Sequence, residues 1–504
     1  MHCGFGASSG EPGCCRCSGA GGNAFDAVVA AGFAAAVAEP ALTSLGGGGL
    51  MLGHSEKHGQ IFFDFFVDIP GKGRKQKSDS LDFFPVTVDF SGTTQVFNIG
   101  LGSVAVPGVL KGLLHIHRKL GYMELKDVVA PAIQLALGHE LNSQQAHFLE
   151  ILSPIMGRTE QGVALYGSGE TMIREGDLLV NLETAEFLEQ ICLEGDENFY
   201  RGELAAKMVR EMEEGGGLLT LEDLSAYRVY EKKPLSVPYG RYLFLTAPEP
   251  SMGGTLIALA LHLSSRCHLG ETKWGSASHL VRTAAVMKEV EQLRAEGIAT
   301  PADLDRFLGS DERTAVSENN IRLFSRGTTH ISIADNRGNC AAMTCSNGEG
   351  SGYFVPGTGI MLNNMMGEDD LHPQGFHAGT PGDRVYSMMS PSLLLNGNRV
   401  KLVIGSGGSK RIRTAIAQVL QQVIDFHRPL QDAVDAPRLY LDEQYLQLEP
   451  GYEHCAVNAL RKVVDVNLWQ KPGVYFGGVH AVIPGVEGAG DPRRGGAVAV
   501  VDHS

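Results

Sequence analysis

Two periods of hydrophobic and polar positions run through this chain, and they divide it. From Gly22 to Glu39 the text GNAFDAVVAAGFAAAVAE is apolar on every side, the pattern of a helix buried all round, and Pro40 stops it. The glycine turn Leu45–Leu50 leads into a strand ending near Leu52, and Ile61–Phe66 reads as a second strand. Gly71–Ser80 reads as a charged loop. Helical spacing governs about Val106–Leu152 and Leu182–Glu214, where Gly215-Gly216-Gly217 ends it. Thr220 is placed to cap a further short helix with Glu222 and Asp223 in its first turn. A strand near Tyr242–Leu245 and a helix over Thr255–Leu263 follow. After Arg326 the grammar becomes that of strands. THISIADNRGNCAAMTCS predicts a hairpin turning at Asp335–Gly338, and SLLLNGNRVKLVIGSGG a second one turning at Asn396-Gly397. A helix is expected over Lys410–Asp425. The chain is therefore α-rich early and β-rich late, with no internal repeat.

Composition narrows the options. The 504 residues are 43% apolar and 20% charged, ordinary for a globular protein with a large core. A formal net charge of -15 argues against nucleic acid as a partner, since phosphate contacts need clustered Lys and Arg. No apolar run reaches the roughly 20 residues that span a bilayer. The opening MHCGFGASSGEPGCCRCSGAGG has neither a basic n-region nor an apolar h-region, so a cytoplasmic location is the expectation. A start placed upstream would reopen the periplasmic or extracellular option. Cys3, Cys14, Cys15 and Cys17 lack the paired C-x2-4-C spacing of a zinc site, and Cys192, Cys267, Cys340, Cys345 and Cys455 read as small buried residues.

The chemistry concentrates at Arg326-Gly327-Thr328-Thr329-His330. Thr328 has a plain reading, a β-branched residue opening a strand. It has a chemical one too. A threonine hydroxyl is a weak nucleophile without a base. Were the bond before it cut, its own α-amine, with a pKa of about 7.7–8.0, would be that base. Gly327 suits the cut because it lacks a side chain. The dipeptide alone leaves both readings open.

The rest of the chain bears on the choice. AGGNAFDAVVA, EPALTSLGGGGLML, GGLLTLEDLSAYRV, PEPSMGGT, GTTHISIADNRGN, LNNMMGEDD, YSMMSPSLLL, GSGGSKRI, FGGVHAV and GDPRRGGAVAVV occur in that order. In this series the chain resembles the gamma-glutamyltranspeptidase family of N-terminal-nucleophile hydrolases from Gly21 to Val501. The resemblance implies an α+β fold, the four-layer αββα sandwich of that superfamily. It implies self-cleavage between Gly327 and Thr328 into a large chain, 1–327, and a small chain, 328–504, which stay associated as one αββα domain. Thr328 would attack γ-glutamyl amides such as glutathione and pass the acyl group to water or an amino acid. No cofactor, metal, nucleic acid or membrane span is implied.

Carried over by position, Gly407 and Gly408 match oxyanion-hole glycines. Thr344 and Ser346, on one face of a strand, would hold Thr328 and orient its amine. Glu368, with Asp369 beside it, would receive the substrate ammonium, and Ser387 its carboxylate. Three departures stand out. Met388 replaces a second serine. Phe66-Val67-Asp68-Ile69-Pro70 replaces the segment carrying the carboxylate-binding arginine, with Arg74 or Lys75 as possible stand-ins. Glu349 adds a carboxylate near the site. The strand expected before AGGNA is not legible in GASSGEPGCCRCSG. His330 shares a face with Thr328 but is read as structural, as is His480, and no metal-ligand spacing occurs. Two alternatives stay open: an acylase for glutaryl or other dicarboxylic side chains, and an unprocessed, non-enzymatic homologue.

Overall fold

A computed structural model of the chain describes all residues except 1, 6–16, 18, 75–79, 90–93, 169–170, 299–301, 305–326, 373, 443–444 and 502–504. The elements that position the site are, in order, β1 (His2–Phe5), α1 (Ala24–Ala38), β2 (Gly48–Ser55), β3 (Gly59–Phe65), α2 (Val109–Leu120) and α3 (Leu125–Leu137). Then come β4 (Tyr230–Lys232), β5 (Leu235–Tyr239), β6 (Tyr242–Thr246), α4 (Met252–Arg266) and α5 (Ala277–Ala295). Beyond Gly327 follow β7 (Thr329–Ala334), β8 (Cys340–Ser346), β9 (Ser392–Asn396), β10 (Arg399–Gly407), α6 (Arg411–Ile424), β11 (Gly478–Ile483), β12 (Glu487–Ala489) and β13 (Ala497–Val500).

Two antiparallel sheets lie face to face. The first has the order β4-β3-β2-β8-β7-β1-β13, the second β5-β6-β9-β10-β11-β12. Helices α1 and α2 cover the outer face of the first sheet, with α3 packed on α1, and α4 and α6 cover that of the second, with α5 packed on α4. This is the four-layer αββα sandwich. Alternation along β7 and β8 decides which side chain meets which layer. Ile331, Ile333, Ala341, Met343 and Cys345 pack with α1, whereas Ala334, Cys340 and Ala342 join the core between the sheets.

Helix α1 is apolar all round because it is enclosed all round, as its text predicts: every residue but Ala36 is buried. Its start is fixed by a capping box, Asn23 accepting from the Asp26 amide and Asp26 from the Asn23 amide. The Asp335 carboxylate, in the β7–β8 turn, accepts from the Ala24 amide at 3.1 Å and ties that hairpin to the helix. Thr220 caps its helix as expected.

The N-terminal strand corrects the sequence reading. It lies ahead of GASSGEPGCCRCSG, at His2–Phe5, and pairs antiparallel with both β7 and β13. Four residues are too few for a period-2 pattern to register. The predicted Gly71–Ser80 loop lies partly outside the described residues, including Lys75. No helix of the described residues is long and apolar enough to cross a membrane.

Candidate active site

The β7–β8 register pairs Thr329 with Cys345 and His330 with Thr344, so Thr328 stands opposite Ser346. Both hydroxyls turn to one atom. Ser346 Oγ donates to the Gly327 carbonyl oxygen at 2.6 Å, and Thr328 Oγ1 lies 2.8 Å from the same oxygen and 3.4 Å from Ser346 Oγ. A hydroxyl donating into a carbonyl draws charge onto its oxygen and makes its carbon a better electrophile. The Gly327 amide donates to Glu349 Oε1 at 3.3 Å. Thr328 is only 4% exposed.

Gly327 is confined. A methyl group on its α-carbon would lie 2.6 Å from both the Ala41 and the Gly348 carbonyl oxygens. Neither backbone oxygen can swing aside as a flexible side chain could. Gly327→Ala is expected to slow breakage of the 327–328 bond by about tenfold or more, through misplacement of its carbonyl. The product, once formed, should behave as wild type because residue 327 has left the nucleophile. A time course of fragment appearance, followed by assay of the cut material, checks both halves.

Thr344 is placed differently from Ser346. Ser332 Oγ donates to the His480 carbonyl at 3.0 Å, so it accepts from His330 Nε2 at 2.9 Å. His330 Nδ1 is then the acceptor for Thr344 Oγ1 at 2.7 Å. The Thr344 proton thus turns to His330 and makes no hydrogen bond to Thr328. Burial, with His480 nearby, holds the His330 imidazole well below its usual range, and burial brings His480 down to about 4. Neutral, with both ring nitrogens engaged, His330 fills the space between the sheets beside Gly405, where a methyl group would overlap its ring.

The other residues singled out in the sequence fall into two groups. Gly407 lies against Thr328 and Glu349 against Gly327, while Gly408 and Glu368 reach them through Arg494 and Gly348. A methyl group on Gly407 would lie 2.4 Å from the Thr328 carbonyl oxygen, and Gly408, at φ +119°, packs on Gly477. Glu368 is buried against Gly348, the residue whose carbonyl confines Gly327. Asp369 is exposed; its neighbour Asp370 is the buried one, paired with Lys410 Nζ at 2.8 Å and accepting from Ser409 Oγ at 3.2 Å.

Ser387 and Met388 lie against the start of α4, where the Ser387 carbonyl accepts from the Met252 amide at 2.9 Å. Ser387 Oγ accepts from the Met389 amide, and Met388 packs with Val237, Met252 and Leu256. Arg74 donates to the Gly217 carbonyl at 2.7 Å. Arg384 takes up Asp68, with Nε 3.0 Å from the carboxylate. Among the described residues no group of three or more His, Cys, Asp or Glu converges to hold a metal ion.

Sequence reasoning missed two charged residues that touch the Thr328–Thr329 unit. Arg494 Nη1 donates to the Thr328 carbonyl oxygen at 3.2 Å. Glu39, the C-cap of α1, accepts from Thr329 Oγ1. Burial, with Arg411 nearby, lowers Arg494 to about 10 against the opposing pull of Asp491, Glu39 and Glu349. One signal was present for Glu39: an acidic residue closing a helix whose text is apolar beyond Asp26, at the end where the dipole disfavours it.

A threonine hydroxyl at the head of a strand between two sheets, turned back on the preceding carbonyl, in an αββα sandwich, defines the N-terminal-nucleophile hydrolase architecture. The profile of the family "Gamma-glutamyltranspeptidase" matches residues 19–501, and the chain belongs to that family. It is 30% identical over 461 residues to the Acylase ACY 1 proenzyme of Pseudomonas sp. (strain SE83), covering 88% of this chain and 82% of that protein. It is also 30% identical over 521 residues to the glutathione hydrolase proenzyme of Escherichia coli (strain K12), covering 94% and 87%. The cephalosporin acylase of Bacillus halodurans superposes with a TM-score of 0.79 at 23% identity, over all of this chain and 96% of that one, a likeness of fold.

Proposed function

We propose that the chain is a precursor that cuts itself before Thr328 and then acts as a γ-glutamyltransferase and glutathione hydrolase through a Thr328 acyl-enzyme. The observation that carries this is the convergence of the Thr328 and Ser346 hydroxyls on the Gly327 carbonyl oxygen. In the first step Thr328 Oγ1 bonds to the Gly327 carbonyl carbon, the C–N bond breaks, and the hydroxyl proton ends on the leaving nitrogen. Water then hydrolyses the ester, giving a Gly327 carboxylate and a free Thr328 amine and hydroxyl. In turnover the amine takes the hydroxyl proton as Thr328 attacks a γ-glutamyl amide, and returns it to the departing amine. Gly407 and Gly408 would supply the oxyanion site, Ser346 with Thr344 behind His330 would steady the nucleophile, and Glu368 would meet the substrate ammonium.

Similarity to both a glutathione hydrolase and an acylase keeps a second reading alongside, an acylase for dicarboxylic side chains. The two acyl groups carry the same terminal carboxylate and differ in the α-ammonium, so Glu368, buried beside Gly348, is the residue whose role separates the readings.

The two pieces would remain one particle, since strands from both sides of Gly327 pair with one another in both sheets. Mass spectrometry of the denatured protein should find about 35 and 19 kDa in place of 53.9 kDa, while size exclusion in native buffer should give one peak. A single intact chain sinks the proposal. Hydrolysis of γ-glutamyl-p-nitroanilide, lost in Glu368→Ala, supports the transferase reading. Hydrolysis of the glutaryl anilide, indifferent to that substitution, replaces it with the acylase.

A further inference from the structure

Self-cleavage needs more than a hydroxyl near a carbonyl. The residue carrying the hydroxyl must stay still while the bond on its N-terminal side breaks. The strand ladder begins only at Thr329, so Thr328 itself lies outside it. What fixes it comes from both sides of the first sheet. Thr328 faces the space between the sheets, and Arg494 grips its carbonyl oxygen there. Thr329 points the other way, as alternation requires, toward the helix layer, and there meets the carboxylate of Glu39.

Glu39 has a second hold on the same place. Its main-chain carbonyl accepts from the Leu42 amide at 2.8 Å and the Thr43 amide at 3.0 Å. That turn is the one whose Ala41 carbonyl and Leu42 α-carbon confine Gly327. One residue thus anchors Gly327 through its backbone and Thr329 through its side chain, and the scissile bond lies between them. We propose that Glu39 is a positioning residue for the nucleophile, its carboxylate acting with Arg494 to clamp the main chain around the 327–328 bond, so that self-cleavage requires Glu39 to be ionised. The inference rests on the reading of Thr328 as the nucleophile of its own precursor.

The surroundings give this clamp a pH dependence. Burial raises the Glu39 carboxyl to about 7, with the Thr329 hydroxyl and Arg494 pulling it down. From β7 it meets Thr329; from the C-terminal segment it meets Arg494, itself within the fields of Asp491, Glu349 and Arg411. Gln144, Gln145 and Phe148, neutral at all relevant pH, line the small cavity beside it. Because its pKa is raised, Glu39 is charged above about pH 7 and neutral below. Neutral Glu39 still contacts Thr329 but no longer balances Arg494. The precursor lacks the Thr328 amine, so that group cannot obscure the titration.

The test uses the full chain made by cell-free synthesis near pH 6, shifted to a series of pH values, with fragment formation timed by mass spectrometry. Wild type should cleave faster as pH rises, along a one-proton curve with its midpoint near 7. Glu39→Gln, which keeps an acceptor for Thr329 but never carries charge, should cleave about tenfold more slowly above pH 7 and show no such curve. Thr329→Val removes the hydrogen bond that lowers the Glu39 pKa, so its midpoint should move to higher pH. A merely structural role would lower the folded fraction without moving a midpoint.

The inference is overturned if Glu39→Gln keeps the wild-type rate and curve, or if Thr329→Val leaves the midpoint in place. Should Glu39→Gln fail to fold, the Thr329→Val midpoint decides alone. A wild-type chain that never cuts defeats the nucleophile reading itself, a result distinct from both.

Discussion

Thr328→Ala is expected to remain a single chain of 53.9 kDa under conditions in which wild type has separated into two. The substitution removes the oxygen that would form the new bond. Ser346 is the other hydroxyl on the Gly327 carbonyl, but it donates to that oxygen at 2.6 Å and so occupies the position of a stabiliser of developing charge. Loss of a covalent nucleophile costs on the order of a millionfold in rate, which here means no product on any practical timescale. Folding should survive, because the lost contact is one hydroxyl hydrogen bond, worth about 1 kcal/mol, and Ser346 still satisfies the carbonyl. Thr328→Ser should cut, since the oxygen remains. Intact mass and N-terminal sequencing of both variants decide it. Fragments beginning at residue 328 in the alanine variant would remove Thr328 from the chemistry altogether.

Gly407→Ala should be the next most damaging single change. Its methyl group would sit 2.4 Å from the Thr328 carbonyl oxygen and 3.1 Å from the Arg494 Nη1 that holds that oxygen. The oxygen cannot retreat without moving the nucleophile, and β10 cannot retreat because Gly407 pairs with Gly478 on β11. Overpacking of this kind costs about 1–3 kcal/mol in stability, tolerable for a domain with this much core. Displacing the nucleophile by even an ångström costs about a hundredfold in rate. The expected result is a folded protein whose self-cleavage and anilide hydrolysis both fall by about that factor. Normal circular dichroism with rates within about threefold of wild type would show that the nucleophile tolerates the shift.

The parts of this site legible in the sequence are those close together along it. Gly327 and Thr328 stood out at the head of a strand run and the family resemblance singled out Ser346, which the hairpin turning at Asp335–Gly338 brings opposite Thr328. Strand alternation could not assign the partners of the hydroxyls. It put Thr344 and Ser346 together, while the proton of Thr344 goes to His330, an outcome set by the tautomer that Ser332 and the His480 carbonyl impose. Asp369 and Asp370 were indistinguishable as text. A single turn of 3-10 helix exposes one and buries the other.

Glu39 and Arg494 were out of reach for a different reason. They meet Thr329 and Thr328 across 290 and 166 residues, and no local pattern encodes such a contact. The strand His2–Phe5 was missed through brevity, yet its two neighbours fix it firmly.

That short strand belongs to the part of the chain before Gly327 and lies between β7 and β13, which belong to the part after it. Neither part holds a whole sheet. The sandwich must therefore be assembled while the polypeptide is still one thread, when loop closure brings the strands together at an entropic cost that grows only slowly with length. With the proposed cut made, the same pairing would become an encounter between two molecules, each exposing unpaired strand edges. A protein cut in this way would have lost the connectivity that built it, so once denatured it would not reassemble as it first formed, and its lifetime would be set by how slowly it first comes apart.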